Sequence, residues 1–416
     1  MPTISYYSKS GCGESEVESR IDCPVCLGDY KNCKFERCPY LKDVRELLLK
    51  VSKTKIIYGS SPPSTLVGSW GYPKVNLGPL VPPLIDDTSL IEKHEAWLDI
   101  PLEKILSMRL SLVHGKKPVK IYEARSPDRL LQNIQEVAMA CKPISLEMVL
   151  DREPNINPNF SIRATPSGPV AALEKINIAE NPVILKVVED VVSDTDLKAG
   201  EAIIKLYSNG LPDYSIVRLL SVGLLGMKPW RKIVPTEWSI TAVDDVLGRR
   251  FRKNVKKNDW IIDYHLYSYN AHYNRVTVLM MPGPWSFEVF EVWRKLGQTK
   301  IYFDSELPGD IDRYPENVGG AYHALRLPVL EKLSNDRRQA STLVVAEVFE
   351  GWVPLGVWRF REICRRALRY PPRRFSTLGE ALDEIVKITG IPIRTWIDNS
   401  RVVRLHILQE KITYYT

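Results

Sequence analysis

The chain has 416 residues, of which 44% are hydrophobic and 26% charged, so it has the composition of an ordinary globular protein. This length allows about two or three domains with proper cores, and the fold does not depend on disulfide staples. The net charge is +7, no apolar run approaches the roughly 20 residues of a membrane span, and the N-terminus lacks a secretory pattern. The sequence therefore predicts a cytoplasmic protein with reduced thiols and no membrane partner.

Four of the seven cysteines stand together near the N-terminus, with the spacing C-x2-C-x6-C-x4-C. Turn-forming residues between the two pairs let the chain double back, so all four thiolates can reach one ion. Such a set suits a closed, tetrahedral zinc site, which braces a fold without activating water. An iron–sulfur cluster accepts the same ligands, and the thiols can also stay unligated, so the metal is left open. The four residues are Cys23, Cys26, Cys33 and Cys38.

The three other cysteines are scattered along the chain. Cys12 is a candidate fifth thiol near the cluster. Cys141 and Cys364 are expected to be small, buried apolar residues, the usual state of an isolated cysteine inside a cell.

Two contrasting stretches follow the cysteine cluster. The leucines of "LKDVRELLLKVSK" recur at helical intervals and predict a short helix. From Tyr58 to Asp87 the chain is rich in proline and glycine, which excludes a regular helix and predicts a long loop with short extended pieces. Because its apolar side chains are unlike those of a linker, we expect an ordered loop. Its polar groups, which are available to hold a phosphate or a base, are Ser60, Ser61, Ser64, Lys74 and Asn76.

The middle of the chain mixes helical and extended patterns. "SPDRLLQNIQEVAMACK" predicts a helix with Ser126 as its cap and Pro127 at the first position. The segments "NPVILKVVED", "AIIKLYSNG" and "DYSIVRLLSVGLLG" predict strands and turns, and "RVTVLMMPGPWSFEVFEVW" predicts a strand and turn followed by a strand or helix. No regular alternation of strand and helix is present, so the predicted class is α+β, with a small N-terminal metal knuckle.

Two further patterns are clearer. The segment "GGAYHALRLPVLEKLSNDRRQASTLVVAEVFEGW" predicts a helix and then a buried strand. "TLGEALDEIVKITG" predicts a helix that Thr377 and Glu380 open with a capping box and that Gly390 closes.

Positive charge is concentrated in two short runs. "RRFRKNVKK" (249–257) carries six basic residues in nine with no acid, and "RFREICRRALRYPPRR" (359–374) carries seven arginines against one glutamate. At helical spacing, three arginines of the second run form a row away from its apolar face, and they repel one another unless an anion neutralises them. Aromatic residues in both runs are able to stack on bases. The sequence thus predicts nucleic-acid contacts by Arg249, Arg250, Arg252, Lys253, Arg361, Arg365 and Arg369.

Residues that point to catalysis are few. The six histidines are dispersed, and no nucleophile elbow, kinase set or zinc-hydrolase helix is present. Neighbouring acids at Asp244–Asp245 and Asp310–Asp312 are able to hold magnesium in a nuclease, although adjacent acids on loops are common. No reaction follows from these residues.

The C-terminus combines a predicted strand, "VVRLHIL", with the tail "QEKITYYT". In this tail Gln409, Ile412 and Tyr415 follow the pattern of peptides that dock on DNA sliding clamps, where the glutamine bonds the clamp backbone and the other two fill an apolar pocket. Thr416 stands where a second aromatic residue is expected.

Four ordered blocks of the sequence resemble the archaeal Nre family of DNA repair proteins. They are the cysteine motif, "GSSPPSTLVGSWGYPKVNLGPLVPP", "IVPTEWSITAVDD" and "GGAYHALRLPVLEKLSNDRRQAS", and the resemblance covers nearly the whole chain. It implies a zinc-finger-like site at the four cysteines and a C-terminal peptide, at Gln409, Ile412 and Tyr415, that binds the sliding clamp PCNA. It also implies a role in the response to DNA damage, but it supplies no reaction.

The resemblance implies four regions. They are a zinc-binding segment with a helix (1–50), an Nre N-terminal region (51–295), an Nre C-terminal region with the arginine-rich helix (296–408) and the clamp-binding tail (409–416).

Three hypotheses on function stay separate. The first is a nucleoid-associated repair factor that binds DNA and is recruited by the clamp. The second is a metal-dependent, nuclease-like enzyme that uses the loop from Tyr58 to Asp87 as a phosphate cradle and some of Asp86, Asp87, Asp244 and Asp245 to hold metal. The third is an RNA-binding protein that shares only the basic runs.

Overall fold

A computed structural model describes residues 4–6, 45–155, 165–295, 297–309 and 314–413. This part of the chain divides into two compact units. The N-terminal unit lies within Ser19–Val246 and Pro354–Gly356, and the C-terminal unit within Met1–Glu18, Leu247–Val353 and Val357–Thr416.

Helices and strands are mixed in the described residues, which confirms the predicted α+β class. The strands are β1 (Ile4–Tyr6), β2 (Ile56–Ser61), β3 (Thr65–Val67), β4 (Lys74–Val81), β5 (Val113–Lys120), β6 (Ile144–Leu150), β7 (Val170–Ile178), β8 (Tyr264–Ala271), β9 (Asn274–Met281), β10 (Ser286–Lys295), β11 (Gln298–Glu306), β12 (Ser341–Val348) and β13 (Arg373–Phe375). The helices are α1 (Arg45–Val51), α2 (His94–Trp97), α3 (Leu102–Leu110), α4 (Arg129–Met139), α5 (Lys186–Ser193), α6 (Ala199–Ser208), α7 (Asp213–Ser221), α8 (Thr236–Val255), α9 (Gly320–Asn335), α10 (Trp358–Arg369), α11 (Leu378–Thr389), α12 (Ile393–Asn399) and α13 (Arg401–Thr413).

The N-terminal unit is built on a six-stranded sheet with the order β2-β6-β7-β5-β4-β3. The proline- and glycine-rich stretch supplies most of β2 and all of β3 and β4, so the predicted long loop is wrong, although the prediction that it is ordered and non-helical holds. Glycine makes this pairing possible, because a Cβ on Gly78 would lie only 1.6 Å from the carbonyl oxygen of Gly115. Two backbones approach closely at a position where no side chain fits.

Three predicted strands of this unit are helices, α5, α6 and α7. The buried residues Val188 and Val191 of α5 are three positions apart, and those of α6 recur at intervals of three and four, which is the helical period. Nearly all residues of α7 are buried. The prediction of strands rests on their β-branched residues and is wrong, because packing against the core stabilises helices instead. The predicted helix α4 is present, but its cap is Asp128, whose carboxylate accepts the N–H of Leu131 at 2.8 Å, and not Ser126.

The C-terminal unit is built on a seven-stranded sheet with the order β1-β11-β10-β12-β9-β8-β13. All residues of β12 are buried, as predicted for the strand after α9. One core packs Phe290 and Leu343 of the sheet against Ile385 of α11 and Trp396 of α12. The predicted capping box of α11 is confirmed, and Gly390 closes the helix with φ +66°.

The segment predicted as the last strand is instead the first half of α13. Its start is held by Glu288 of β10, whose carboxylate is fully buried and accepts the N–H groups of Arg401 and Val402 at 3.0 and 3.3 Å. Ser400 caps the helix by accepting the N–H of Val403 at 3.0 Å. A carboxylate at a helix N-terminus satisfies free N–H groups and favours the helix over a strand.

Candidate nucleic-acid interface

The first basic run forms the C-terminal end of α8. Basic side chains are favourable there because the carbonyl end of a helix carries partial negative charge. Val255 is fully buried and packs this end of the helix into the C-terminal unit. The exposed basic residues of the run are Arg249, Arg250, Lys253, Lys256 and Lys257.

Arg252 differs from its neighbours because its Nη1 lies 3.4 Å from Oε1 of Glu306. The same carboxylate is 2.9 Å from the guanidinium of Arg326 and accepts the hydroxyl of Tyr322 at 3.3 Å. Burial would raise the pKa of Glu306, but Arg326, the indole N–H of Trp285 and Arg252 outweigh it and hold this pKa below its ordinary value. Arg252 is therefore engaged in an internal ion pair that positions α8.

The segment after α8 adds an aromatic ring to this surface, since Trp260 is 53% exposed. Gln339 fixes the segment: its N–H donates to the carbonyl of Asp259 at 2.9 Å, and its carbonyl accepts the N–H of Ile261 at 3.0 Å. Its side-chain amide donates to the carbonyl of Asn258 at 3.0 Å. These bonds join the segment to the turn that follows α9.

That turn contributes two more exposed cations, Arg337 and Arg338, immediately before Gln339. They lie outside both basic runs of the sequence, and only the pairing through Gln339 brings them beside the end of α8. We call the resulting set the basic surface. It consists of Arg249, Arg250, Lys253, Lys256, Lys257, Trp260, Arg337 and Arg338.

The second basic run is placed differently. Arg361 is only 2% exposed, and Arg365 forms ion pairs with Glu331 of α9 at 2.8 Å and Glu362 at 2.9 Å. Only Arg369 of the predicted row is exposed. The expectation of one exposed arginine row on α10 is therefore wrong, because glutamates from within the protein neutralise part of it.

The aromatic residues of the second run divide in the same way. Phe360 is buried in the core and is not available for stacking on a base. Tyr370 is exposed and stacks on Tyr269 of β8, with ring centroids 6.0 Å apart. The apolar helical face predicted for this run, which includes Ile363, Cys364 and Ala367, is buried as expected.

The serines of the predicted phosphate cradle are also buried. Ser61 donates to the carbonyl of Leu80 at 2.9 Å, and Ser64 donates to Glu92 at 2.6 Å. Glu92 in turn forms an ion pair with Arg109. These hydroxyls therefore serve the packing of the N-terminal unit.

Two adjoining family descriptions match the chain. Archaeal Nre, N-terminal, matches residues 32–298, and archaeal Nre, C-terminal, matches residues 307–415. The chain belongs to the archaeal Nre family. This confirms the resemblance carried by its four sequence blocks.

Several Nre relatives align with nearly full length. The DNA repair protein NreB of Archaeoglobus fulgidus is 35% identical over 395 residues, covering 92% of this chain and 97% of the relative. The DNA repair protein NreA of Haloferax volcanii is 36% identical over 352 residues, covering 81% and 84%. NreA of Archaeoglobus fulgidus is 34% identical over 370 residues, covering 87% and 92%. No solved structure matches this Nre chain.

Other sites predicted for this Nre protein lie partly beyond the described residues. The ligand candidates Cys23, Cys26, Cys33 and Cys38 and the tail residue Tyr415 are outside them. Gln409 and Ile412 fall within the helical backbone of α13.

Of the isolated cysteines, Cys364 is buried, and burial raises the pKa of its thiol. Cys141 is exposed, contrary to expectation.

The acidic candidates are separated between a helix and a turn. Asp244 is buried in α8, whereas Asp86 and Asp87 lie in an exposed turn, and Asp310 and Asp312 are outside the described residues. The part of the chain that the structure describes contains no group of three or more His, Cys, Asp or Glu side chains placed to hold a metal ion. It also contains no helix that is both long and apolar enough to cross a membrane.

Proposed function

We propose that this protein is a DNA repair factor that binds DNA through the basic surface and is recruited by the sliding clamp PCNA. Relatives that align over most of their length are named DNA repair proteins. The observation that carries the proposal is the cluster of exposed cations at the end of α8 and on the turn after α9.

The chemistry of this surface fits a phosphate backbone. Seven cations lie on two segments that Gln339 joins, and Trp260 among them exposes a ring that can stack on a base. Contacts of this kind release counterions, so binding depends steeply on salt and weakly on sequence. Because Arg361 and Arg365 are engaged inside the protein, the proposal assigns DNA contact to the first run and leaves Arg369 as the exposed candidate of the second.

A variant that combines Arg250→Ala, Lys253→Ala and Lys256→Ala is expected to bind DNA more weakly. The plot of log K against log salt should become less steep, because each lost phosphate contact reduces the magnitude of its negative slope by about 0.9 on duplex DNA, or by about 2.7 for three contacts. Fluorescence anisotropy with labelled duplex DNA over a salt series measures both quantities.

The matched control removes the same charge from another part of the C-terminal unit. Lys387→Ala, Arg394→Ala and Arg404→Ala change three exposed cations of α11, α12 and α13. This control should leave the slope close to that of the unmodified protein. If both variants lose the same slope, net charge alone governs binding, and the assignment to the basic surface is wrong.

Recruitment by the clamp is assigned to Gln409, Ile412 and Tyr415. Glu288 and Ser400 hold the start of α13 in the core, which anchors the helix on whose last turns Gln409 and Ile412 lie. The proposed contact is a glutamine bond to the clamp backbone, with the aliphatic and aromatic residues in an apolar pocket.

The variant Gln409→Ala/Tyr415→Ala is expected to lose clamp binding and to keep its affinity for DNA. Isothermal titration with the purified clamp of the same organism measures the loss. Lys411→Ala is the control, because position 411 lies between the pattern residues and should bind normally. A full-length protein that shows no binding to the clamp would remove this part of the proposal.

We also propose that Cys23, Cys26, Cys33 and Cys38 hold a structural zinc ion. Support comes from the donor set, since four thiolates within one short segment match the ligand number and softness that zinc prefers. Bound there, zinc supplies no reaction, because all four positions are occupied by protein.

A further inference from the structure

A second surface, in the N-terminal unit, exposes several large aromatic side chains. Trp70 is 88% exposed and Trp230 is 68% exposed. Large apolar groups gathered in this way mark interaction sites more often than isolated ones do. We call this set the aromatic platform, and its members are Trp70, Tyr72, Tyr122, Trp230 and Trp238.

The first part of the platform joins the turn between β3 and β4 to the start of α8. The ring centroids of Tyr72 and Trp238 are 5.0 Å apart. Nearby, the N–H of Val67 donates to the hydroxyl of Thr236 at 2.9 Å. These contacts hold the hairpin turn that carries Trp70 beside the helix.

The second part lies next to the first through backbone hydrogen bonds. The N–H of Ile121 donates to the carbonyl of Pro73 at 3.1 Å, and the carbonyl of Ile121 accepts the N–H of Ile233 at 2.9 Å. Ile121 is therefore bonded both to the β3–β4 hairpin and to the segment that contains Ile233. Tyr122 is the residue after Ile121, and Trp230 lies three residues before Ile233.

Both ends of the platform have a fixed backbone. Gly71 adopts φ +82° in the hairpin turn, a conformation that suits glycine, and a Cβ there would lie 2.8 Å from the carbonyl oxygen of Lys74. On the other side, Arg231 donates to the carbonyls of Gly226 at 2.8 Å and Val192 at 2.7 Å. The rings are thus presented on ordered turns, which limits the entropy lost when a ligand binds.

Cations are interleaved with the rings. The guanidinium of Arg125 lies 4.6 Å and the ammonium of Lys232 5.4 Å from the centroid of the Tyr122 ring. Further exposed cations are Lys74, Lys120 and Lys228. The nearest acid on the same turn, Glu123, accepts the N–H of Lys120 at 2.9 Å and is part of that turn's own structure.

We propose that the aromatic platform binds single-stranded DNA by stacking on its unpaired bases, with the interleaved cations on the phosphates. Rings alternating with cations are the chemistry of single-strand binding, because every unpaired base offers a flat face and every nucleotide a negative charge. A duplex covers its base faces, so it is excluded from such a surface. The inference goes beyond the basic surface, which lies in the other compact unit.

The test compares Trp70→Ala/Trp230→Ala with Trp70→Phe/Trp230→Phe in the full-length protein, with labelled deoxythymidine oligonucleotides as the probe. Loss of a stacking partner is expected to weaken binding by about 5- to 150-fold for each base. The phenylalanine variant should recover most of the affinity, because it restores a ring. Duplex DNA should bind both variants as it binds the unmodified protein.

The alternatives give different results. Unchanged oligonucleotide binding by the alanine variant, or equal losses in both variants, would overturn the proposal. Tighter binding of the same sequence as RNA would assign the platform to RNA instead. The variants remove no cation, so their salt slope should not change. The salt slope therefore tests the basic surface, and the affinity for the oligonucleotide tests the aromatic platform. Either proposal can fail without the other, and the two failures give different results.

Discussion

Glu291→Gln should make the C-terminal unit lose less stability as the pH rises from about 4.5 to 7. Glu291 is buried on β10, and this burial raises the pKa of its carboxyl from 4.5 to about 7, although Arg359 acts in the opposite direction. Burial likewise lowers the pKa of Arg359 to about 10. Both groups are poorly solvated, so burial of Glu291 costs more free energy when its carboxyl is ionised than when it is protonated.

The sign follows from proton binding. Above pH 4.5 the unfolded chain releases the proton of Glu291, whereas the folded protein keeps it until about pH 7. The stabilising contribution is therefore complete below pH 4.5 and is lost as the pH rises to about 7. A raised pKa of this size corresponds to about 3 kcal/mol, at about 1.4 kcal/mol for each pH unit. Glutamine does not titrate, so the variant should lack this slope.

Hydrogen exchange of peptides from β10, compared between variant and unmodified protein at each pH, measures the difference in unfolding free energy. That difference should grow in favour of the variant by about 3 kcal/mol across the window. Glu350→Gln is the control, because Glu350 is exposed in the same unit and its replacement should leave the difference constant. A constant difference for Glu291→Gln would show that this carboxyl is ionised throughout.

The sequence predicts correctly those helices and strands whose start and end are specified by nearby residues. The helix α11 is an example, since Thr377, Glu380 and Gly390 specify both of its ends. For α5 to α7 the prediction of strands is wrong, because their β-branched residues favour strands, whereas the buried residues of α5 and α6 follow a helical period and α7 is buried on nearly all sides. The helix α13 depends on Glu288, which is more than a hundred residues away in the sequence.

The candidate interface shows the same limit. The run at the end of α8 is visible in the sequence because its charges are adjacent and no acid interrupts them. The second run looks equally basic, but Glu331 lies 34 residues from Arg365 and neutralises it only in the folded chain. Arg337 and Arg338 join the basic surface only through the pairing of Gln339 with the segment after α8. Charge density is a local property, and exposure depends on tertiary contacts.

The aromatic platform was partly visible in the sequence. Trp70 and Tyr72 belong to the proline- and glycine-rich stretch, whose apolar side chains predict an ordered segment. The structure places them at a hairpin turn, where both are exposed. A turn reverses the chain at the edge of a sheet, so its side chains are the ones least covered by neighbouring strands.

Cys26→Ala is expected to release zinc and to loosen the N-terminal region. Structural zinc sites of this kind contribute about 10–16 kcal/mol of apparent binding free energy at neutral pH, and this free energy is also folding free energy. Three thiolates leave an incomplete tetrahedron, which water then enters. Elemental analysis should find one zinc per chain in the unmodified protein and much less in the variant.

Cys141→Ala is the matched control, because Cys141 is an exposed thiol outside the cysteine motif, and this variant should keep its zinc. Hydrogen exchange of peptides before α1 should speed up in Cys26→Ala and on chelation, but not in the control. If the unmodified protein contains iron and sulfide and absorbs visible light, the four cysteines hold an iron–sulfur cluster and not zinc. If it contains neither metal, the four cysteines are unligated. Because zinc requires deprotonated thiolates, acid should release it from the unmodified protein as well, and exchange in the same peptides should then speed up.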